Sequence, residues 1–324
     1  MKEPLTLLVS NATAARLKVI EISSDRMTLD YWFTFPIGIL IATIAMASGV
    51  EGATFFTPLF IIGLGLPTEV AVGTGLITEA FGFSSGVYAY VRKGLIDYQL
   101  GRRLLLVTIP VALLGTWLAK SVPGDVLKGA LGIGLLAIAI SFLRSPQPKE
   151  LNIIDQDIKA HQDKAPKICI TDATDNTYCY TIAHPAEGRW LAGIGALFLG
   201  MVSTGLGEMN GYFLMQRCRV PSKVAVATSV FIVAITALTA SVGHILQFAR
   251  AGDDTLSTVL SIVVFTAPGV LIGAQLGSIV ASRLPHQLLE RSMGILFVMV
   301  GAIMLGEITL HNQPIAIAWL QNLG

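Results

Sequence analysis

Long apolar stretches alternate with short polar ones along most of the chain. The clear apolar runs cover residues 31–50, 70–91, 103–120, 126–144, 190–215, 222–249, 258–281 and 287–306. About 20 helical residues cross a hydrocarbon core of roughly 30 Å. In lipid an open strand would leave its backbone groups without partners, whereas a helix satisfies its own. The pattern therefore predicts an all-α protein that crosses a membrane several times.

The polar segments divide the chain further. Residues 1–30 predict an N-terminal tail and residues 307–324 a C-terminal tail, while 145–188 form a polar connector. Within the connector, "KICIT" and "TYCYTI" alternate around the turn-rich "DATDN", which predicts a small β-hairpin with Cys169 nearly opposite Cys179. Because the spacings fit no metal-ligand template, we expect reduced, structural thiols there and no metal.

Two phrases recur half a chain apart. "PTEVAVGTG" at 67–75 returns as "PSKVAVATS" at 221–229, and "IPVALLG" returns as "APGVLIG". The repetition predicts two homologous membrane units, 31–144 and 189–306, each of about four segments. Internal duplication is common in secondary transporters, whose binding site lies near mid-membrane where the repeats meet.

Composition excludes several classes of function. Hydrophobic residues make up 53% of the chain and charged residues 13%, against roughly 25% charged residues in soluble domains. The net charge of +1 argues against a nucleic-acid partner. "GFSSG" matches a hydrolase motif but lies inside an apolar helix, and no Walker A loop is present. We therefore expect neither enzyme activity nor a cofactor, and no ATP-driven transport.

Each unit carries a glycine-rich interruption of an apolar run. "MASGVEGATFFTPLF" lies in 31–65, which is too long for one straight span, and "MVSTGLGEMNGYFLM" occupies the corresponding place in the second unit. Glycine permits an unwound backbone, and the N–H groups at helix N-termini favour anions. The predicted substrate-binding residues lie at these breaks and near the starts of the following helices: Ser48, Gly49, Gly52, Thr74, Thr204, Gly205, Gly207, Asn210, Thr228 and Ser229.

Three glutamates, Glu51, Glu79 and Glu208, lie inside apolar stretches. An ionised carboxylate in hydrocarbon costs several kcal/mol, so such groups face the bundle interior or carry a proton. Each is a candidate either for proton coupling or for anchoring the N-terminus of a neighbouring helix.

The membrane topology has two solutions. Eight full crossings make the two units parallel and put the N-terminus inside the cell. Two re-entrant hairpins leave three crossings per unit, make the units inverted and put the N-terminus outside. Both place the basic stretch "RKGLIDYQLGRR" and the connector on the cytoplasmic side. Either way, we expect a multi-pass protein of the cell membrane.

The order of these motifs resembles that of a known family. A glycine-rich break followed by a proline, then "P-x-x-V-A-V-G-T-G", "RKGLID" and a "P-x-x-x-x-G" helix, repeated across a polar connector, is similar to the sulfite exporter TauE/SafE family of permeases. The resemblance covers residues 31–144 and 189–306. It implies secondary transport of sulfur-containing anions such as sulfite or organosulfonates.

The sequence supports an exporter as the first hypothesis. An inside-negative potential drives a monovalent anion outward by roughly 2.3 kcal/mol for each 100 mV, so export needs no further energy source. The alternative is proton-coupled uptake of a small organic anion, and an alternative of another class is a membrane assembly factor that transports nothing. The expected partners are a small anion and the lipid bilayer. The sequence leaves the oligomeric state open, a homo-oligomer included.

Overall fold

The computed structural model describes residues 31–48, 51–143, 167–251, 254–281 and 294–308. The predicted tail 1–30 and most of the predicted tail 307–324 lie outside them, as do residues 145–166 of the connector. The helices are α1 (Thr34–Ser48), α2 (Ala53–Pro58), α3 (Thr68–Lys93), α4 (Tyr98–Ala119), α5 (Gly124–Leu143), α6 (Pro185–Val202), α7 (Leu206–Gly211), α8 (Ser222–Ala251), α9 (Thr255–Ala281) and α10 (Gly294–Ile308). The strands are β1 (Lys167–Thr171) and β2 (Thr177–Thr181).

Among the described residues, four helices are long and apolar enough to cross a membrane by length and composition. They are α3, α4, α8 and α9. α1 and α10 are apolar but shorter. The chain is therefore mostly helical with several candidate membrane spans, as the apolar pattern predicts.

The predicted interruptions are present in both units. α1 gives way to α2, and α6 gives way to α7, after only a few residues. Ser203 ends α6 with a φ of 59°, in the left-handed region that stops a helix, and Gly205, with a φ of 114°, is the residue from which α7 begins. α2 and α7 both continue into a π-helical turn, Leu59–Gly63 and Tyr212–Arg217 respectively.

At the second break the chain reverses and α7 runs back along α6. A Cβ added to Gly195 of α6 would lie 2.8 Å from the Cα atom of Leu206. Seven residues earlier on α6, a Cβ added to Gly188 would meet the ring of Phe213, seven residues further along the returning segment. The two segments are therefore antiparallel neighbours, which is the course that the re-entrant topology predicts.

The first break follows the same course. A Cβ added to Gly52 would lie 3.7 Å from the Cβ atom of Ala45. Further from the break, Ala42 of α1 and Phe56 of α2 belong to one buried cluster. α2 thus also returns beside α1, and each unit begins with a helical hairpin.

The two helical hairpins enter from opposite ends of α3. The first leads directly into the first turn of α3. The last turn of α3 instead contacts the β-hairpin, because the Lys93 carbonyl accepts a 3.0 Å hydrogen bond from Ala173 N. β2 then leads after three residues into α6, which begins the second helical hairpin. The tips of the two hairpins therefore point toward each other.

Glycines bring helices of one unit into backbone contact with helices of the other. A Cβ added to Gly115 of α4 would collide with the Leu197 carbonyl of α6. At the equivalent place in the repeated phrase, a Cβ added to Gly273 of α9 would lie 2.5 Å from the Ile39 carbonyl of α1. Each helical hairpin is thus held by a long helix from the other unit.

The predicted β-hairpin is confirmed, but the predicted state of its cysteines is wrong. β1 and β2 pair antiparallel with Cys169 directly opposite Cys179, and the two are joined by a disulfide. The register places the two Cα atoms directly opposite each other, 4.1 Å apart, slightly below the usual disulfide range of roughly 4.4–6.8 Å.

The β-hairpin is fastened to both units through Asp97, the N-cap of α4. Tyr180 Oη donates a 2.7 Å hydrogen bond to Asp97 Oδ2, and the other carboxylate oxygen accepts from the first turn of α4. Asp97 N in turn donates to Thr228 Oγ1 of α8 at 3.0 Å. Burial raises the pKa of Tyr180, and its hydrogen bond to Asp97 raises it further.

Candidate functional site

The tips of the two helical hairpins meet through two pairs of buried hydroxyl groups. The Oγ1 atoms of Thr54 and Thr204 lie 2.8 Å apart, and Thr57 Oγ1 lies 2.6 Å from Ser203 Oγ. Thr54 and Thr57 are three residues apart on α2, which places both on one face of the helix. The two breaks, about half a chain apart in sequence, therefore form one site.

Glu51 reaches across this junction. Its Oε2 atom accepts a 2.9 Å hydrogen bond from Gly205 N, and its Oε1 atom accepts one from Gly207 N. The side chain is buried, with 1% of its surface exposed. A carboxylate from the first hairpin thus occupies the N-terminus of α7 in the second, where backbone N–H groups stabilise negative charge.

Two more glutamates complete the cluster. Glu79 of α3 accepts a 3.1 Å hydrogen bond from Ala53 N through Oε1, so it holds the N-terminus of α2. Glu208 accepts from Gly205 N at 3.1 Å through Oε2. The second oxygens, Glu79 Oε2 and Glu208 Oε1, have no hydrogen-bond partner among the described residues. The predicted anchoring of a neighbouring helix N-terminus is therefore seen for Glu51 and Glu79, whereas Glu208 binds the start of its own helix.

Five of the predicted substrate-binding residues lie at the joined tips. Thr204, Gly205 and Gly207 take part in the contacts described above. Gly52 precedes α2, and a Cβ there would lie 3.9 Å from Glu79 Oε1. Asn210, on α7, is buried with its Nδ2 donor unpartnered within the described part of the chain.

None of the remaining predicted residues takes part in the described contacts between the tips. Thr74 Oγ1 donates to the Val70 carbonyl of its own helix at 2.7 Å. Thr228 Oγ1 accepts a hydrogen bond from Asp97 N at 3.0 Å. Ser229 is buried on α8. Ser48 is the last residue of α1, but its side chain and all of Gly49 are outside the described residues.

Sequence reasoning did not select Thr54 and Thr57. Their signal was present, because they are two polar residues with helical spacing inside the apolar stretch "GATFFTPLF".

In the part of the chain that the structure describes, no group of three or more His, Cys, Asp or Glu side chains could hold a metal ion. The site offers backbone N–H groups, hydroxyls and carboxyls, which suits binding of a small ion.

The comparison with protein families decides the family. The model of sulfite exporter TauE/SafE matches residues 34–304. The chain belongs to this family. The matched range includes both helical hairpins and all three glutamates of the site.

Named relatives agree with a role in transport. The chain is 24% identical over 279 residues to "Probable membrane transporter protein YunE" of Bacillus subtilis (strain 168), which covers 84% of this chain and 96% of the relative. It is 31% identical over 112 residues to "Probable membrane transporter protein YjnA" of the same organism, covering 33% of this chain and 44% of the relative. No solved structure matches the chain significantly. This TauE/SafE protein is therefore a membrane transporter, which is consistent with the prediction that it is not an enzyme.

Proposed function

We propose that this TauE/SafE protein is a secondary transporter that exports small sulfur-containing anions such as sulfite or organosulfonates. The observation that supports this most is the position of the Glu51 carboxylate on the N–H groups of Gly205 and Gly207. These two N–H groups each bind one carboxyl oxygen of Glu51, and a substrate anion would use the same donors. The nature of the anion comes from the family, since the donors would accept any small oxyanion.

The junction is suited to alternating access. Two helical hairpins that enter from opposite ends and meet at their tips can each open toward one side while the other stays closed. Discontinuous helices with their N-termini at an anionic substrate are a recurring feature of transporters. The hydroxyl pairs Thr54–Thr204 and Thr57–Ser203 are the contacts that would have to separate.

We infer that the two units are inverted repeats. Three observations support this: the repeated phrases, the same order of helix, break, short helix and π-helical turn in each unit, and the exchange of helix contacts at Gly115 and Gly273. Each unit contributes one helical hairpin, and the pseudo-symmetry brings the two tips together.

We place the β-hairpin end of the protein in the cytoplasm, because Arg92, Lys93, Arg102 and Arg103 are all exposed there. A membrane-impermeant maleimide should therefore label an Ala173→Cys variant, with the native cysteines replaced by serine, only after the cells are permeabilised. Ala173 is exposed at the turn of the β-hairpin. Labelling in intact cells would contradict this orientation and would fit the disulfide, which oxidising compartments favour.

A second candidate function is proton-coupled uptake of a small organic anion. It is favoured by the convergence of Glu51, Glu79 and Glu208, because carboxyl groups in a membrane interior are typical proton carriers. In this case an inward proton gradient would drive the anion inward against the membrane potential.

Flux measurements in vesicles containing the purified protein separate the candidates. We expect efflux of sulfite or a sulfonate that follows an imposed membrane potential and that persists in the Glu79→Gln variant. Protein-free vesicles of the same lipid are the control. Accumulation against the anion gradient only when protons flow in, and its loss in Glu79→Gln, would instead establish proton-coupled uptake. No flux across a panel of sulfite, thiosulfate, sulfonates and small carboxylates would favour the assembly factor.

A further inference from the structure

Two carboxylates converge on a single backbone donor. Gly205 N lies 2.9 Å from Glu51 Oε2 and 3.1 Å from Glu208 Oε2. Glu208 belongs to the first turn of α7 itself, and a glutamate in that position is the usual local partner for the N–H group at a helix start. Glu51 comes from the other unit, 154 residues away in sequence. The helix start is therefore capped by its own residue, and Glu51 is an additional anion at the same place.

We propose that Glu51 is a tethered competitor of the substrate: the anion replaces its carboxylate on Gly205 N and Gly207 N, and the displaced side chain takes up one proton. This inference rests on the proposed anion site. It concerns the binding equilibrium. In export driven by the membrane potential the proton must return to the side from which it came, because a monovalent anion and a proton that cross together carry no net charge.

The ligand class follows from the shape of the group that is replaced. The Glu51 carboxylate presents two oxygens to two N–H groups, one to Gly205 N and the other to Gly207 N. A sulfonate, sulfite or carboxylate can present two oxygens in the same way. The N–H groups of Gly205 and Gly207 lie at the start of a helical segment that continues through α7 and the π-helical turn to Arg217. This segment is longer than a single helical turn.

A further donor lies on the same segment. Asn210 is 2% exposed, and its Nδ2 has no partner among the residues that the structure describes. A buried amide donor without an acceptor is costly. Asn210 lies three residues after Gly207 and so on the same face of α7, and its amide is a group that an incoming oxyanion could satisfy.

The groups around the displaced Glu51 side chain explain why it takes up a proton. Among the described residues, the charged groups that act on Glu51 are Glu208 and Glu79, both acidic. Without the two N–H groups, an ionised Glu51 would face these carboxyls with no donor, in an interior where such a charge costs several kcal/mol. A proton removes that charge, so anion binding and proton uptake are linked.

The test is a calorimetric titration of the purified full-length protein with methanesulfonate, in two buffers that differ in protonation enthalpy. Methanesulfonate does not itself titrate near neutral pH, so any proton uptake belongs to the protein. We expect about one proton taken up per anion and an apparent Kd that rises about tenfold per pH unit wherever Glu51 is ionised. The wild-type proton count is decisive without any variant.

Glu51→Gln should bind the anion with no proton uptake and with a Kd independent of pH, because the glutamine amide neither ionises nor matches both N–H groups. Glu69→Gln is the matched control: Glu69 lies in the first turn of α3, away from the site, and the variant should keep the wild-type proton count.

Binding without proton uptake by the wild type would overturn the inference while leaving the anion site intact. So would a pH dependence that persists in Glu51→Gln, or that is removed by Glu79→Gln or Glu208→Gln alone. Absence of binding to either methanesulfonate or thiosulfate, in the wild type and in Glu51→Gln, would overturn the proposed function itself.

Discussion

Vesicles that contain the Gly205→Val variant are expected to lose anion flux, by at least an order of magnitude relative to the wild type. Gly205 has a φ of 114°, and a β-branched residue held there costs about 1–3 kcal/mol of backbone strain. A Cβ at this position would also lie 3.2 Å from the Cβ atom of Phe198. Relief of the strain would turn away the N–H group that Glu51 and Glu208 share, and the proposed substrate would lose the same donor.

Gly211→Val is the matched control for this prediction. Gly211 lies on the same segment, has an ordinary helical φ of −58°, and a Cβ there would meet only the mobile end of Met215 at 3.4 Å. The control should transport close to the wild-type rate. Both proteins should be compared by gel filtration in detergent, so that a loss of flux is scored only for folded protein. Full flux through folded Gly205→Val would show that the anion passes elsewhere.

The Gly200→Ala variant is expected to lose folded protein rather than transport rate. A Cβ on Gly200 of α6 would collide with the Ala112 carbonyl of α4 and would lie 2.8 Å from Thr116 N. Both neighbours are backbone atoms, so the helices must move apart. Overpacking of this kind costs about 1–3 kcal/mol, and the bond between the Gly200 carbonyl and His244 Nε2, 3.2 Å long, would be disturbed as well. We expect a lower thermal unfolding temperature and less monodisperse protein.

Gly193→Ala tests whether the loss of stability in Gly200→Ala comes from the close approach of α6 to α4 at Gly200. Gly193 lies on the same helix and faces the same partner helix, but a Cβ there would meet the Val107 side chain at 3.4 Å, an ordinary contact. Its unfolding temperature should stay close to that of the wild type. Equal losses in the two variants would mean that any alanine on α6 is harmful and that the close approach at Gly200 is not the cause.

Much of the local structure was predictable because its causes are local. Apolar runs of span length predicted the long helices, and clustered glycines predicted where α1 and α6 end. The alternation around "DATDN" predicted the β-hairpin and the opposition of Cys169 and Cys179. The disulfide between them was not predicted, because three cysteines scattered along the chain do not indicate a disulfide framework.

The candidate site was predictable only in part. Gly205 and Gly207 were found because an unwound glycine segment exposes its own N–H groups, whatever surrounds it. Thr228 was assigned to the substrate, yet its hydroxyl is used by Asp97 N, a residue 131 positions away. Thr54 and Thr57 were passed over, although they join the two tips. A hydroxyl in an apolar run can bond to its own helix or to a distant one, and the choice depends on what packs against it.

The sequence by itself determined that this is a helical membrane protein with two breaks and with carboxylates beside them, because apolar run length and glycine content act along the chain. Only the tertiary structure decided that α7 turns back along α6, that the two tips meet from opposite ends, and that Glu51 occupies the N–H groups of Gly205 and Gly207. These features depend on contacts across about half the chain, between backbones that approach closely only after the long helices have packed.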